Sequence, residues 1–280
     1  MNRMFRNYMV FLAVVFCMLS CGPVSYGAEE KSVIRVGFPT QSGLTMKDDN
    51  GNYTGYTYDY LKEIAQYTGW TYEFVEAEGS MDQQLVQLMD MLEKGELDLL
   101  GAMNNNEQTS AVFDFPSENY GNAYSVIAVR GDDDRIDEYN LSDFKGLRIA
   151  LFKRANYHNG KFYQYAKLNG IQYEPVWCQE DGKQAELVLS GQADVMLSVD
   201  VSLPQGFRPV AKFSPTPFYF ATTKGNTHII NELNRAISYI SETNPTLQMN
   251  LYNKYFSRSS SQLFLNAMER KYIQEHPVLK

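Results

Sequence analysis

The feature that most constrains the fold of this chain is a short sequence motif that occurs twice. The strings LEKGELDLL and VLSGQADVM carry a Gly and an Asp at the same places, Gly95 and Asp98 in the first copy and Gly191 and Asp194 in the second. A glycine just past a helix adopts a left-handed backbone at little cost. A short apolar run bounded by turn signals is typical of a buried strand. Each copy therefore predicts a helix end, a tight turn and a buried strand.

A second pair of similar strings precedes the two copies, IRVGF at residues 34–38 and LRIAL at residues 147–151. Because both phrases keep their order, the chain is predicted to contain two similar α/β units. The apolar and turn patterns predict strands over residues 33–38, 70–75, 97–100, 120–129, 147–152, 172–176, 195–198, 207–213 and 218–222. They predict helices over residues 56–68, 81–94, 160–169, 182–190, 229–240 and 245–256.

Three further motifs stand in a fixed order: NGNYTGYTYD from Asn50 to Asp59, FDF at residues 113–115 and LSDFKG at residues 141–146. Together with the strand strings, they resemble the phrases N-G-x-x-x-G-[FY]-x-x-D, V-D-F and L-x-D-L-K-G of a known family. Over residues 32–256 the chain is similar to the bacterial extracellular solute-binding proteins of family 3, the amino-acid-type periplasmic binding proteins. The resemblance implies the α/β, two-lobed periplasmic-binding-protein type II fold. In that fold two α/β lobes, joined by a two-strand hinge, close on a small solute.

The same resemblance predicts the domain organisation. Residues 29–127 with residues 216–256 are expected to form lobe 1, and residues 128–215 to form lobe 2. Residues 257–280 begin with a Ser-rich cluster, and we expect them to lead toward a further domain, as in multidomain receptors that use this fold as a sensor. A simple C-terminal helix is the alternative for this tail.

Residues 1–28 have the pattern of an export leader. Arg3 and Arg6 precede an apolar run over residues 8–19, which is too short for an ordinary membrane-spanning helix. The small residues Ser25 and Gly27 suit the −3 and −1 positions of a signal cleavage site, whereas Cys21 suits lipidation. We therefore expect export to the periplasmic or extracellular face of the cytoplasmic membrane, with the form of anchoring left open.

Composition narrows the range of partners. The net charge of −8 argues against nucleic acid, which requires a basic face. Cys178 is the one cysteine beyond the leader, and a disulfide framework cannot be built from it alone. The histidines show no metal-ligand spacing. No metal and no cofactor are predicted.

The loop that follows the predicted strand over residues 97–100 is the first candidate for solute contacts, because open α/β sheets bind ligands at the carboxyl ends of their strands. Relatives that bind α-amino acids place an Arg there for the ligand carboxylate, and the matching place here holds Thr109. The hydroxyl residues that precede this Arg in the family are replaced by Asn104, Asn105 and Asn106. Amides both donate and accept hydrogen bonds, which suits a neutral or hydroxylated ligand.

The second lobe is expected to contribute Asn156, in the loop after its first strand, and Ser198 or Asp200 after its last strand. The resemblance implies an acid near Asp200 that binds a ligand ammonium, although Asp200 lies one residue from the expected place. Aromatic side chains that could form walls of the cleft are Phe38, Tyr56 and Tyr120. From the resemblance we therefore predict a solute-binding cleft in this chain, but not specificity for α-amino acids.

Function is therefore predicted to be binding without catalysis. The solute would be amino-acid-like or neutral and polar, and the partner would be the permease of an ABC transporter or the signalling domain of a receptor. An enzyme on the same fold, a dehydratase or a peptidoglycan lyase, is one alternative. It would require a carboxylate in the cleft, for which Glu107 and Asp200 are the candidates. A degenerate module that binds no solute, or that binds a protein, is the other alternative.

Overall fold

The computed structural model describes residues 32–137, 140–180, 182–256 and 275–276. The predictions for the leader, and nearly all of those for the tail, lie outside these residues. Within the described residues, the helices are too short or too polar to cross a membrane.

The elements follow the predicted alternation of strands and helices. The helices are α1 (Tyr56–Thr68), α2 (Met81–Glu93), α3 (Glu107–Val112), α4 (Asn156–Leu168), α5 (Lys183–Leu189), α6 (Thr227–Thr243) and α7 (Leu247–Tyr255). The strands are β1 (Val33–Gly37), β2 (Met46–Lys47), β3 (Tyr53–Thr54), β4 (Thr71–Val75), β5 (Leu99–Met103), β6 (Phe113–Asp114), β7 (Gly121–Arg130), β8 (Leu147–Phe152), β9 (Tyr173–Cys178), β10 (Val195–Val199) and β11 (Phe207–Thr223).

Two parallel units are joined by a pair of long antiparallel strands. The strand order is β4-β1-β5-β11-β7-β10-β8-β9, with β6 also against β11, and β2 and β3 form a separate hairpin. Strand β1 is parallel to β4 and β5, and β8 is parallel to β9 and β10. Strands β7 and β11 are antiparallel to each other and connect the two units. This is the two-lobed α/β architecture that the sequence predicts.

The buried apolar side chains are divided between the two units. In the first unit, α1, α6 and α7 pack on β1 and β5, and a smaller cluster lies under α2. In the second, α4 covers one face of the sheet and α5 the other. The lobe boundaries at residues 127/128 and 215/216 stay predictions.

The repeated phrase has the same role in both units. Arg35 of β1 donates through Nε and Nη2 to the Asp98 carboxylate, at 3.0 and 2.9 Å, and its backbone N–H donates to the same carboxylate at 2.8 Å. Arg148 of β8 makes the equivalent three bonds to Asp194, at 3.0, 2.9 and 2.9 Å. Each Arg–Asp clamp therefore fixes the start of a first strand to the start of its parallel neighbour.

Asp59, the last residue of the first family motif, fastens α1 to the last helix. Its carboxylate accepts from Lys254 Nζ at 2.6 Å and from the Tyr255 hydroxyl. Burial acts to raise the pKa of Asp59, but these two hydrogen bonds outweigh it and hold the pKa below its ordinary value. The motif thus stabilises the first lobe.

Several element boundaries differ from prediction. Helix α4 begins at Asn156 rather than at residue 160, because Gly160 lies inside the helix and not before it. The two predicted strands over residues 207–213 and 218–222 form one strand, β11, whose pairing with β7 shifts register beside Pro209 and beside Pro215. Strands β2 and β3, which are absent from the predicted elements, pair as a short hairpin before α1.

Candidate ligand-binding site

The chain leaves β5 through a left-handed residue. Ala102 has φ 56°, and its N–H donates to the Tyr120 hydroxyl at 2.7 Å. A residue with a Cβ occupies this conformation only where the surroundings hold it. In the described part of the chain, the other non-glycine residue with positive φ is Ser214 of β11, with φ 48°. Both unusual conformations thus lie where strands of the first unit end or pass to the second.

The loop after β5 forms the cap of a short helix. The Asn106 side chain accepts from the N–H groups of Gln108 and Thr109, at 3.0 and 3.1 Å. The Thr109 hydroxyl donates to the Asn104 carbonyl at 2.6 Å and accepts from the Asn106 N–H at 3.0 Å. Asn106 and Thr109 are therefore engaged locally at the start of α3, whereas the side chains of Asn104 and Asn105 are exposed.

The loop after β8 brings a second exposed amide to the carboxyl edge of the second unit. Asn156 is the first residue of α4 and is exposed. The loop before it is held to β9 by the Lys153 N–H, which donates to the Cys178 carbonyl at 3.0 Å. Between α4 and the end of β9 lies a depression of about 490 Å³ that Asn156 lines. The second lobe thus presents polar groups at the strand ends, as the first lobe does.

Asp200 is buried at the junction of the two units. Its side chain is 6% exposed. One carboxylate oxygen accepts from the backbone N–H of Tyr124 in β7 at 2.8 Å, and the other accepts from the Tyr252 hydroxyl of α7 at 2.6 Å. Lys212 of β11 lies 3.2 Å from the same carboxylate. The acid is therefore already paired with groups of the chain itself.

The carboxylate of Asp200 influences the pKa of Tyr252. Burial, and then the hydrogen bond to the Asp200 carboxylate, raise the pKa of Tyr252. The Lys212 ammonium lies over the rings of Tyr124 and Tyr252, 3.9 and 4.1 Å from their centroids. We call these four residues, Asp200, Tyr124, Lys212 and Tyr252, the hinge cluster. Ser198, the other candidate, lies within β10, is half-buried and pairs with Val126 of β7.

The three candidate wall residues are buried. Phe38 is 3% exposed, Tyr56 1% and Tyr120 0%. Tyr120 stacks on Phe220 with ring centroids 3.9 Å apart, and the Tyr56 hydroxyl donates to the Tyr120 carbonyl at 2.7 Å. Burial raises the pKa of both tyrosines. These three rings pack against other aromatic side chains of the first unit, among them Phe74, Phe218 and Phe220.

A family model matches most of the chain. The model of the bacterial extracellular solute-binding proteins, family 3, matches residues 34–258. The chain belongs to this family. The predicted resemblance is confirmed, and the family consists of binding proteins that act outside the cell.

Solved structures show the same fold. The probable amino-acid ABC transporter extracellular-binding protein YtmK of Bacillus subtilis is 20% identical, with a TM-score of 0.64 over 82% of this chain and 99% of that one. The second substrate-binding domain of Lactococcus lactis GlnP, in an open conformation, is 20% identical, with a TM-score of 0.62 over 82% and 98%. An ancestral amino acid-binding protein, a precursor of cyclohexadienyl dehydratase, is 23% identical, with a TM-score of 0.53 over 80% and 95%. No curated protein matches the chain significantly.

The solute-binding protein contains site features that sequence reasoning missed. Tyr124, Lys212 and Tyr252 come from three distant elements, and only the fold brings them to Asp200. Trp177 and Tyr163 also line the depression beside α4. Their exposure was the missing signal, because an aromatic residue in a strand or helix pattern is usually buried.

Among the described residues, no group of three or more His, Cys, Asp or Glu side chains is placed to hold a metal ion. Within the acidic run at residues 132–134, Asp132 is paired with Arg130 and Asp133 with Arg135. This run is therefore part of a mixed-charge surface.

Proposed function

We propose that this solute-binding protein is an exported domain that captures a small polar molecule in a cleft between its lobes, for delivery to a transporter or for signalling through a receptor. The observation that carries the proposal is the placement of exposed amides, Asn104 and Asn105 after β5 and Asn156 after β8. These are the carboxyl ends of parallel strands in both units, where open α/β sheets bind ligands. The named relatives that bind amino acids or serve ABC transporters support the same class of function.

The solute is proposed to be amino-acid-like in size but recognised mainly by neutral groups. Thr109 stands where relatives use an Arg, and its hydroxyl is bonded within the α3 cap. Asp200, the candidate for an ammonium group, is bonded to Tyr124 and Tyr252. The carboxylate of an α-amino acid would thus meet no cation at Thr109, and its ammonium would meet a carboxylate that is already bonded at Asp200. A neutral or hydroxylated solute therefore fits these positions better.

No observation favours catalysis. A dehydratase or lyase would require a carboxylate that reaches the solute and exchanges a proton with it. Glu107 is exposed at the start of α3, and Asp200 is held in the hinge cluster. We therefore propose a binding protein and not an enzyme, membrane-associated through its leader or a lipid, with no nucleic-acid partner.

Thermal unfolding with a panel of amino acids, peptides, sugars and nucleosides tests this function. A solute at a hundred times its dissociation constant adds about 2.7 kcal/mol to the free energy of unfolding. The expected result is a raised midpoint with one class, lost in a variant carrying Asn104→Ala and Asn105→Ala, two exposed residues outside the second unit. Gln172→Ala, an exposed amide just before β9, is the matched control and should retain the response. If no compound raises the midpoint, a degenerate or protein-binding module becomes the better explanation.

A further inference from the structure

The depression beside α4 has one aromatic side. Trp177 is 45% exposed and Tyr163 is 40% exposed, and both line it. Side chains alternate along a strand, so Trp177 of β9 lies on the same face as Tyr173, which packs edge-on against Phe162 of α4 at 4.8 Å. Beyond this contact the apolar interior ends, and Trp177 stands at the rim. A large aromatic ring that is partly exposed to water can bury more apolar surface when a ligand packs on it, so it marks a candidate binding surface.

The floor of the depression includes a glycine that the fold does not require. Gly160 lies inside α4, and its φ is not among the positive values of the glycines. A Cβ placed on it would meet no atom within 4 Å. Glycine weakens a helix interior relative to alanine, so the sequence gives up helix stability here without relieving a clash. What Gly160 provides is bare backbone and open space.

An unpaired acceptor lies next to this glycine. Asn159 is 4% exposed and lines the depression, and its amide nitrogen donates to the Phe152 carbonyl at 2.9 Å. Its Oδ1 is buried and has no hydrogen-bond partner among the described residues. A buried acceptor without a donor carries a free-energy cost, so this site suits a ligand that brings a hydroxyl or amide hydrogen.

The lining groups share one chemistry. Asn156, Asn159, Gly160 and Tyr163 occupy a single face of α4 at helical spacing. Gln179 adds an exposed amide beyond β9, and Lys153 adds the one charged group of the lining. Among the described residues that line the depression, none offers a carboxylate to the ammonium of an α-amino acid. We propose that this depression binds a saccharide, whose ring packs on Trp177 and Tyr163 and whose hydroxyls exchange hydrogen bonds with the amides.

This site is distinct from the proposed capture site between the lobes, although Asn156 belongs to both. All of its lining residues belong to the second unit, so binding requires no lobe closure. A neutral sugar and an acidic sugar share the ring chemistry, and Lys153 would favour the acidic one. The inference therefore goes beyond the proposed function, and either can fail without the other.

The two tryptophans of the chain give a direct test. Trp70 is 4% exposed, with its indole N–H bonded to Glu232, whereas Trp177 is at the rim. In protein labelled with 5-fluorotryptophan, the fluorine signal lost in Trp177→Phe identifies Trp177. Titration with neutral hexoses, disaccharides and uronic acids should shift that signal saturably and leave the Trp70 signal in place. No shift of the Trp177 signal with any saccharide overturns the proposal.

Two variants separate binding from folding. Gly160→Ala should raise the unfolding midpoint, because alanine favours the helix, while its methyl group fills the floor and weakens saccharide binding about tenfold. Trp177→Ala should weaken binding at least as much. Tyr239→Ala removes an equally exposed ring from α6 and should change neither signal nor affinity. A stabilised Gly160→Ala with full affinity contradicts the site, and a scattering radius that shrinks on saccharide binding would assign the sugar to the cleft instead.

Discussion

At the scale of single residues, Gly55 shows how a family motif is fixed by backbone geometry. It stands before α1 with φ 121°, and a Cβ there would lie 2.3 Å from the Leu44 carbonyl oxygen. The adjoining backbone bonds, Tyr56 N–H to Gly43 and Thr57 N–H to Leu44, keep the two segments together at 2.9 and 3.0 Å. Neither segment can move away without losing these bonds.

We therefore expect Gly55→Ala to lower the free energy of unfolding by about 2 kcal/mol or more, as measured by urea titration. The control is Gly51→Ala in the same motif. Gly51 also has positive φ, 82°, but its Cβ would meet no atom within 4 Å, so only the conformational cost of about 1 kcal/mol applies. Equal effects of the two substitutions would show that the Leu44 contact is unimportant.

At the scale of elements, the sequence predicts the bounds of a helix or strand well where a residue next to the boundary determines them. Helix α1 spans the predicted residues because Gly69 ends it in the left-handed conformation. Helix α4 was predicted to begin late, because Ala155 before it makes no side-chain cap and Gly160 imitates a turn. Strand β11 was predicted as two pieces because prolines such as Pro215 usually interrupt strands. Tertiary pairing with β7 overrides that local signal.

The Arg–Asp clamps give a prediction at this scale. The hydrogen bonds from Arg148 hold the pKa of Asp194 below its ordinary value. A depressed pKa means that the stabilisation is complete above the unfolded value of 3.8 and is lost as the pH falls through the folded pKa. Asp194→Asn should lower the unfolding midpoint by a few degrees at pH 7, and the difference from the parent should shrink below about pH 4.

The control for this clamp is Asp132→Asn, which alters the exposed pair with Arg130 and should change the midpoint little at either pH. Differential scanning calorimetry at several pH values measures both variants. A difference for Asp194→Asn that stays constant down to acid pH would mean that the carboxylate charge is not what holds β8 to β10.

At the scale of the whole molecule, the candidate site shows where sequence reasoning ends. The loops with Asn104 and Asn156 were predicted, because strand ends and polar residues are visible in the sequence. The surroundings of Asp200 were not, because its partners come from β7, β11 and α7. Since α7 packs in the first core while Asp200 follows a strand of the second unit, the hinge cluster fastens the lobes to each other. The contact of Asp200 with a ligand ammonium stays a prediction, and in this structure its carboxylate is bonded to groups of the chain itself.

The hinge cluster can be separated from general stability with two substitutions. Asp200→Ala removes the acceptor of the Tyr124 N–H and of the Tyr252 hydroxyl. Hydrogen exchange at the Tyr124 amide should therefore accelerate at least tenfold. The scattering radius of the unliganded protein should change as well. Tyr252→Phe removes one hydroxyl and keeps the bond at 2.8 Å between Tyr124 and Asp200, so exchange at Tyr124 should stay near the parent value. The Lys212 ammonium still faces the carboxylate in that variant, which keeps the buried charge paired. If Asp200→Ala left both exchange and scattering radius unchanged, the cluster would be a local contact of β7 and not a restraint on the lobes.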